Sequence, residues 1–401
     1  MALFVRPALV IFSRLAEGAT VDYDIAVVGL GGIGSAILAQ CAARKAKVIG
    51  LEQFGPVHEF GSSIGRSRMI RKAYFEDPAY VPLLLRAYEL WRELERATNE
   101  EFLQITGLLM LGEESAPIVA GSRRAASEHN LPIELLDCRA IQSRYPTLRV
   151  SPNEIGVFEP DGGVLRPERA LEAHLRVAAR AGAQLRFGTT VSRWEIKDTG
   201  FELHFADGSR VTADSLVLAM GSWFQQTLAA LGIPLRVQRN VQAWFTPASE
   251  AYSSSRFPPF LIERSHFPAP LYGFPDFGDG VKAAFHAHGE CTGAENLDRE
   301  IDRARDIDPI VSAMEEWMPG ATATFRDAKV CPYSLTPDGH FVIDHHPKHP
   351  HLILCGGFSG HGFKFAPVIG EIAADLALEG HTRHEIDFLS LRRFAAARTS
   401  R

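Results

Sequence analysis

Residues 23–52 read YDIAVVGLGGIGSAILAQCAARKAKVIGLE. Ile25-Ala26-Val27-Val28 is a wholly apolar run, the pattern of a parallel strand buried on both faces. Gly29, Gly31 and Gly34 follow at the G-x-G-x-x-G spacing. A helix-period segment runs from about Ser35 to Arg44, and a second apolar run, Val48-Ile49-Gly50-Leu51, ends at the acid Glu52. Strand, tight turn, helix, strand and acid within about thirty residues form a dinucleotide-binding unit. Gly29 permits the turn, Gly31 lets a pyrophosphate approach the backbone, and Gly34 lets helix and strand pack closely. The free N–H groups at the helix start attract phosphate. Glu52 is placed to accept ribose hydroxyls. The motif alone does not separate NAD from FAD.

The 401 residues leave room for two or three domains with large cores. A net charge of −6 without a basic stripe argues against a nucleic-acid partner. Cys41, Cys138, Cys291, Cys331 and Cys355 are scattered, odd in number and form no CxxC pair. That pattern argues against a disulfide framework or a zinc site; no metal is expected, and a reducing, cytoplasmic setting is. No apolar run approaches the roughly eighteen residues that a membrane span needs. Residues 1–22 read as a surface extension, whose apolar piece Ala8–Phe12 is too short for a signal-peptide core.

Beyond Glu52, the stretch Gly61–Arg71 is a polar, glycine-rich loop carrying Arg66, Arg68 and Arg71. Such arginines can hold phosphate or a carboxylate, or form a solvated basic loop. Helices are predicted over Tyr80–Thr98, Pro117–His129, Arg139–Tyr145, Arg166–Ala181 and Asp298–Trp317. Strands are predicted over Gln104–Leu111, Gln184–Phe187, Val191–Ile196, Phe201–Phe205 and Ser215–Ala219, the last running into Gly221 and Trp223. Residues 235–288 alternate as an antiparallel sheet should, and such a sheet can wall a substrate pocket. A second glycine-rich loop, Gly356–Gly362, opens a helix reaching about Leu378.

The fold class read from this pattern is α/β, α+β overall. A Rossmann-like cofactor domain is assembled from residues 23–76, 150–228 and 326–390. A substrate domain with a largely antiparallel sheet takes 77–149 and 229–325.

Four stretches carry a resemblance: GSSIGRSRMIRKAY (Gly61–Tyr74), YGFPDFG (Tyr272–Gly278), KVCPYSLTPDGHFVID (Lys329–Asp344) and GFSGHGFKFAPVIGE (Gly357–Glu371). With them the chain resembles the FAD-dependent amine oxidases of the monomeric sarcosine oxidase and N-methyltryptophan oxidase family, in the D-amino-acid-oxidase group. The resemblance runs from Tyr23 to the C-terminal helix. It implies FAD joined through a cysteinyl sulfur at Cys331 to the 8α position of the ring. It also implies cofactor contacts from Gly29, Gly31, Ile33, Gly34, Glu52, Ser62, Arg68, Val191, Gly221, Trp223, Gly357, Gly360, Gly362 and Lys364.

The same resemblance places a substrate carboxylate on Arg71 and Lys364, with Tyr272 shaping the amine's position. Arg68, Lys282, His286 and Tyr333 become the catalytic candidates, Lys282 as the cation that favours electron transfer to oxygen. A strand lysine facing solvent and a structural histidine are the plain alternatives for Lys282 and His286. The implied partner is a small secondary amine with a carboxylate, N-methylated like sarcosine or cyclic like proline, with O2 as acceptor and a monomeric protein. A hydride equivalent passes from the carbon next to nitrogen to flavin N5, H2O2 forms, and the imine hydrolyses, giving formaldehyde if the N-methyl group is oxidised. A dehydrogenase using another electron acceptor and a flavin binder without turnover are the alternatives. Ile64, Arg66-Ser67 and Pro332 depart from the family pattern, which leaves the substrate open.

Overall fold

The computed structural model describes residues 21–396, so the expected N-terminal extension lies outside the described residues except for its last two positions. The quoted stretch folds as its pattern dictates: strand Tyr23–Val28, helix Gly32–Ala43, strand Val48–Leu51. Gly29 takes φ +90°, a conformation that side chains disfavour. A Cβ on Gly34 would stand 1.7 Å from the Gly29 carbonyl oxygen, so glycine alone allows this helix to seat on this strand.

These strands sit inside an eight-stranded sheet. Tyr23–Val28 pairs in parallel with Val48–Leu51 on one side and Arg210–Leu218 on the other. Gln184–Arg186 extends the parallel set beyond Val48–Leu51, and His349–Gly356 extends it beyond Arg210–Leu218. Antiparallel hairpins, Val191–Lys197 with Gly200–Phe205 and Val342–His346 with His349–Gly356, finish it. Helices Gly32–Ala43, Pro167–Arg180 and Ala366–Glu379 bury one apolar core with the sheet. Phe201, Leu203, Leu216 and Leu352 belong to a second core.

A nine-stranded sheet, largely antiparallel, forms the other half. Arg236–Thr246 is its longest-paired member, flanked by Val281–Phe285 and Thr324–Leu335. Leu271–Phe274 and Phe260–Glu263 follow, and the latter pairs in parallel with Leu108–Glu113. A small third sheet ties Arg68–Ile70 to Gly163–Leu165 and Leu103–Ile105.

Two strands expected in the cofactor half lie in the nine-stranded sheet. Glu154–Glu159 pairs with Leu108–Glu113, and Thr324–Leu335 with Arg236–Thr246. Drawn by sheet membership, the boundaries at 150 and 326 move to follow Glu159 and Leu335. The helix expected from Asp298 begins later: a π-helical turn over Arg303–Ile307 leads into Asp308–Trp317. The Asp298 carboxylate accepts the Glu300 N–H at 2.9 Å, a local bond that competes with helix. No helix among the described residues is long and apolar enough to cross a membrane.

Candidate active site

A cavity of about 480 Å³ runs from the glycine turn to the face of the nine-stranded sheet. At its dinucleotide end, Glu52 accepts the Leu30 N–H at 2.8 Å and the Phe54 N–H at 3.0 Å. His58 Nε2 stands 3.5 Å from the same carboxylate. Burial works against the Glu52 charge, but His58 and the two amides overcome it and hold its pKa below the usual value. A Cβ on Gly31 would meet only Ser63 Oγ, at 3.8 Å, so the space before the helix is open to a ligand. Ser63 Oγ itself accepts the Gly32 N–H at 2.9 Å. Open backbone at a helix start with a buried acid beside it fits a dinucleotide.

Of the residues expected at the cofactor, Gly29, Gly31, Ile33, Glu52, Ser62 and Arg68 line the cavity. So do Val191, Gly221, Trp223, Cys331, Gly360 and Gly362. Gly34 and Gly357 do not. Gly34 serves packing instead, and Gly357, at φ +64°, faces Thr336.

Strand register builds the reactive end. Cys331 lies opposite Asn240 and Tyr333 opposite Gln238; Lys282 lies opposite both Trp244 and Phe274, and Tyr272 opposite Ala284. Side chains on paired positions share a face. One face of the sheet therefore carries Cys331, Tyr333, Tyr272, Lys282 and Gln242. Ala284 between them is small, and Gln242 Nε2 reaches across to the Tyr272 hydroxyl at 3.3 Å. The other amide atom, Gln242 Oε1, is buried without a partner.

Cys331 is 2% exposed. Arg68 stands beside it, Nη2 at 3.7 Å from Sγ, and donates to the Ser62 carbonyl at 2.7 Å. Ser62 in turn donates to the Pro332 carbonyl at 2.6 Å, fastening the arginine loop to the cysteine's strand. Lys282 is also buried, at 1% exposure, and is not a solvent-facing strand lysine. Nor does it line the cavity. Its amine donates to the Gly65 carbonyl at 2.8 Å and the Ser67 carbonyl at 3.0 Å. Burial and then Arg68 lower its pKa well below the usual amine value.

Arg71 and Lys364 do meet. Both stand over the Tyr74 ring, at 4.3 and 5.1 Å from its centre, and both line the cavity. Arg71 is occupied on one side: Nη2 donates to both oxygens of Glu76 at 2.7 Å. Arg71 Nε is buried with no partner. Burial opposes the Glu76 charge, but Arg71, with Lys364 behind it, holds its carboxyl down to about 2. Burial, then Arg71, push Lys364 down to about 7, against the pull of Glu76. His286 lies beside Tyr333 with Nδ1 3.5 Å from the hydroxyl, and burial drops its pKa to about 4, so the ring is neutral. Tyr333 and Tyr272 are raised by burial and stay protonated.

The sequence reading missed Glu76, Tyr74, His361, Gln242 and Ser63. Tyr74 and His361 lie inside two of the quoted motifs, so their positions were in view without a role. Glu76 lies two residues past the end of one, and nothing in its spacing marks a buried partner for Arg71.

A dinucleotide cradle opening onto buried cations and protonated phenols defines a dinucleotide-dependent oxidoreductase. The chain belongs to the FAD dependent oxidoreductase family, whose model matches residues 24–376. It is similar to the monomeric sarcosine oxidase of Streptomyces avermitilis, with 44% identity over 381 residues covering 94% of this chain and 98% of that one. It is also similar to the N-methyl-L-tryptophan oxidase of Yersinia pestis, 32% identical over 376 residues that cover 93% and 100% of the two chains. Among solved structures, NikD, described as an unusual amino acid oxidase essential for nikkomycin biosynthesis, matches with a TM-score of 0.81 at 25% identity, covering 92% of this chain and 97% of that one. FAD is accordingly the dinucleotide.

Proposed function

We propose that this enzyme oxidises a small secondary amine bearing a carboxylate, such as sarcosine or another N-methyl or cyclic amino acid. The observation that carries the reading is the pairing of Arg71 and Lys364 deep in the cavity, with Arg71 Nε left without an acceptor. A buried guanidinium N–H without a partner is costly, and a substrate carboxylate supplies one.

Gly29, Gly31, Ile33, Glu52 and Ser62 would hold the nucleotide, with Cys331 as the covalent tether. When bound, FAD supplies a two-electron acceptor at N5 that O2 reoxidises with release of H2O2.

The chain's own residues do the rest. Arg71 and Lys364 bind the carboxylate and so fix which carbon faces the ring. Arg68, Arg71 and Lys364 line the site with positive charge, which disfavours an ammonium and favours the neutral amine that can be oxidised. His286 is neutral and Tyr272 and Tyr333 are protonated, so they orient that amine by hydrogen bonding without adding charge. Lys282, pinned against the carbonyls of Gly65 and Ser67, is a fixed amine that would stabilise reduced oxygen by hydrogen bonding and by taking up a proton.

The test is H2O2 release across a panel of N-methyl and cyclic amino acids, set against the matching amines without a carboxylate. Peroxide with the first set and little with the second is expected. Equal rates on both would sink the carboxylate reading. Flavin bleaching by substrate without peroxide would instead point to a dehydrogenase using another acceptor.

A further inference from the structure

Lys364 is more than a cation near an anion site, because every group around its amine has a fixed hydrogen-bonding sense. The chain of bonds starts at a backbone carbonyl. His361 Nε2 lies 3.1 Å from the Gly339 oxygen, which can only accept, so Nε2 carries a proton. Burial keeps the His361 ring neutral, with its pKa down to about 3, so Nδ1 is a bare acceptor. The Tyr74 hydroxyl is 2.6 Å from Nδ1 and must donate to it. That leaves only lone pairs on the Tyr74 oxygen, and Lys364 Nζ stands 3.4 Å away, donating. A second Lys364 N–H goes to the His361 carbonyl at 2.7 Å. The backbone is held too, since Trp91 Nε1 donates to the Lys364 carbonyl at 2.9 Å.

We propose that Tyr74 and His361 are positioning residues for Lys364: the directed chain from Lys364 through Tyr74 and the His361 ring to the Gly339 carbonyl engages one ammonium N–H, the His361 backbone carbonyl engages a second, and together they aim the third into the cavity. The proposal rests on the carboxylate reading above and adds to it a reason for the geometry. An ammonium is a rotating point charge, unlike a guanidinium. Fixing two of its bonds gives it one direction, as a planar fork has by construction.

The chain also keeps the charge in place. Arg71 and Arg68 disfavour a proton on Lys364, whereas Glu76 favours it. The Tyr74 oxygen is one of the two protein acceptors described for that buried ammonium. Its phenol is buried, with a pKa well above the usual value, so it acts as a neutral dipole and not as a counter-ion. A Tyr74 hydroxyl free to turn could instead donate toward Lys364 and repel the proton; His361 Nδ1 prevents that.

The experiment uses the flavin-loaded protein and two small probes, propionate and its neutral amide, propionamide, titrated by the absorbance of the bound flavin. Tyr74→Phe is expected to weaken propionate by about tenfold and to leave propionamide within about twofold. His361→Leu should do the same. His361→Asn, whose amide oxygen can stand in for Nδ1 toward Tyr74, should recover most of the loss. In turnover, Tyr74→Phe should raise KM and leave kcat close to that of the parent. Propionate binding unchanged in Tyr74→Phe and His361→Leu overturns the proposal, and so does an equal loss of both probes. Should Tyr74→Phe fail to fold, the contrast between His361→Leu and His361→Asn decides alone. A parent protein that prefers propionamide to propionate has no anion site, and overturns the functional reading along with this one.

Discussion

The Nη2 of Arg71 lies 2.7 Å from each oxygen of Glu76, five residues further along the chain. Both groups are buried or nearly so, with side-chain exposures of 3% and 17%. The protein thus supplies its own carboxylate to the arginine proposed to bind one. Glu76→Gln should make Arg71 more available, tightening propionate severalfold. It should also cost about 3 kcal/mol of stability, because a buried guanidinium loses its counter-ion. Ligand titration and thermal unfolding check the two halves; a variant as stable as the parent with unchanged affinity would contradict both.

The pKa of Lys364, near 7, sets a pH dependence. The anion binds the protonated amine. Its folded-state pKa is depressed, so in the free enzyme the charge is present below about 7 and is lost as pH rises through it. Carboxylate affinity should therefore be nearly flat up to pH 6 and fall by about tenfold per unit once the pH is above about 7, until the pKa of the complex is passed. Lys364→Met should bind weakly and show no such slope. A slope that survives in Lys364→Met assigns the titration to another group.

Cys331 carries the proposed tether. Denatured protein should keep its yellow colour and fluoresce as a band in a gel, and Cys331→Ser should lose both while still binding flavin when folded. Colour released from the parent by denaturation alone would rule the covalent link out.

Lys282→Met removes the buried amine and fills the space with a side chain of similar length. Anaerobic bleaching of the flavin by substrate should stay within about threefold, and reoxidation by O2 should slow by about a hundredfold or more. Equal losses in both half-reactions would mean that the bonds to Gly65 and Ser67 matter for the arginine loop and not for oxygen.

Gly34→Ala tests the cradle. The added methyl meets the Gly29 oxygen at 1.7 Å, and neither backbone segment can move without unseating the helix. The expected cost is at least about 3 kcal/mol, with little flavin retained after purification. A fully yellow variant would show that the turn is more pliant than its geometry states.

What the sequence disclosed, and what it hid, follows the range of the interactions. The strand–glycine–helix–strand unit was legible because its parts are local: apolar runs, glycine spacing and an acid at a set distance. Most of the candidate residues that line the cavity were reached through motifs that span only a few positions each. Sheet membership was not legible for Glu154–Glu159 or Thr324–Leu335, since their partners are distant in the chain and either sheet accepts such a strand. Lys282 alternates with Val281 and Ala283 as a strand residue should, yet only the fold shows that the loop at 65–67 lies on top of it. The late start of the helix before Trp317 was written in Asp298 and Asp302, whose carboxylates take local amides, but a polar helical face looks much the same.

Cys331 belongs to the nine-stranded sheet, while the glycine turn and Glu52 belong to the eight-stranded half. A nucleotide gripped at one end and bonded, as proposed, at the other would be a rivet between two sheets that have no strand in common. Loss of the proposed tether at Cys331 would then loosen the whole assembly as well as the ring. Heating the parent and the serine variant side by side should show one melting event in the first and two in the second.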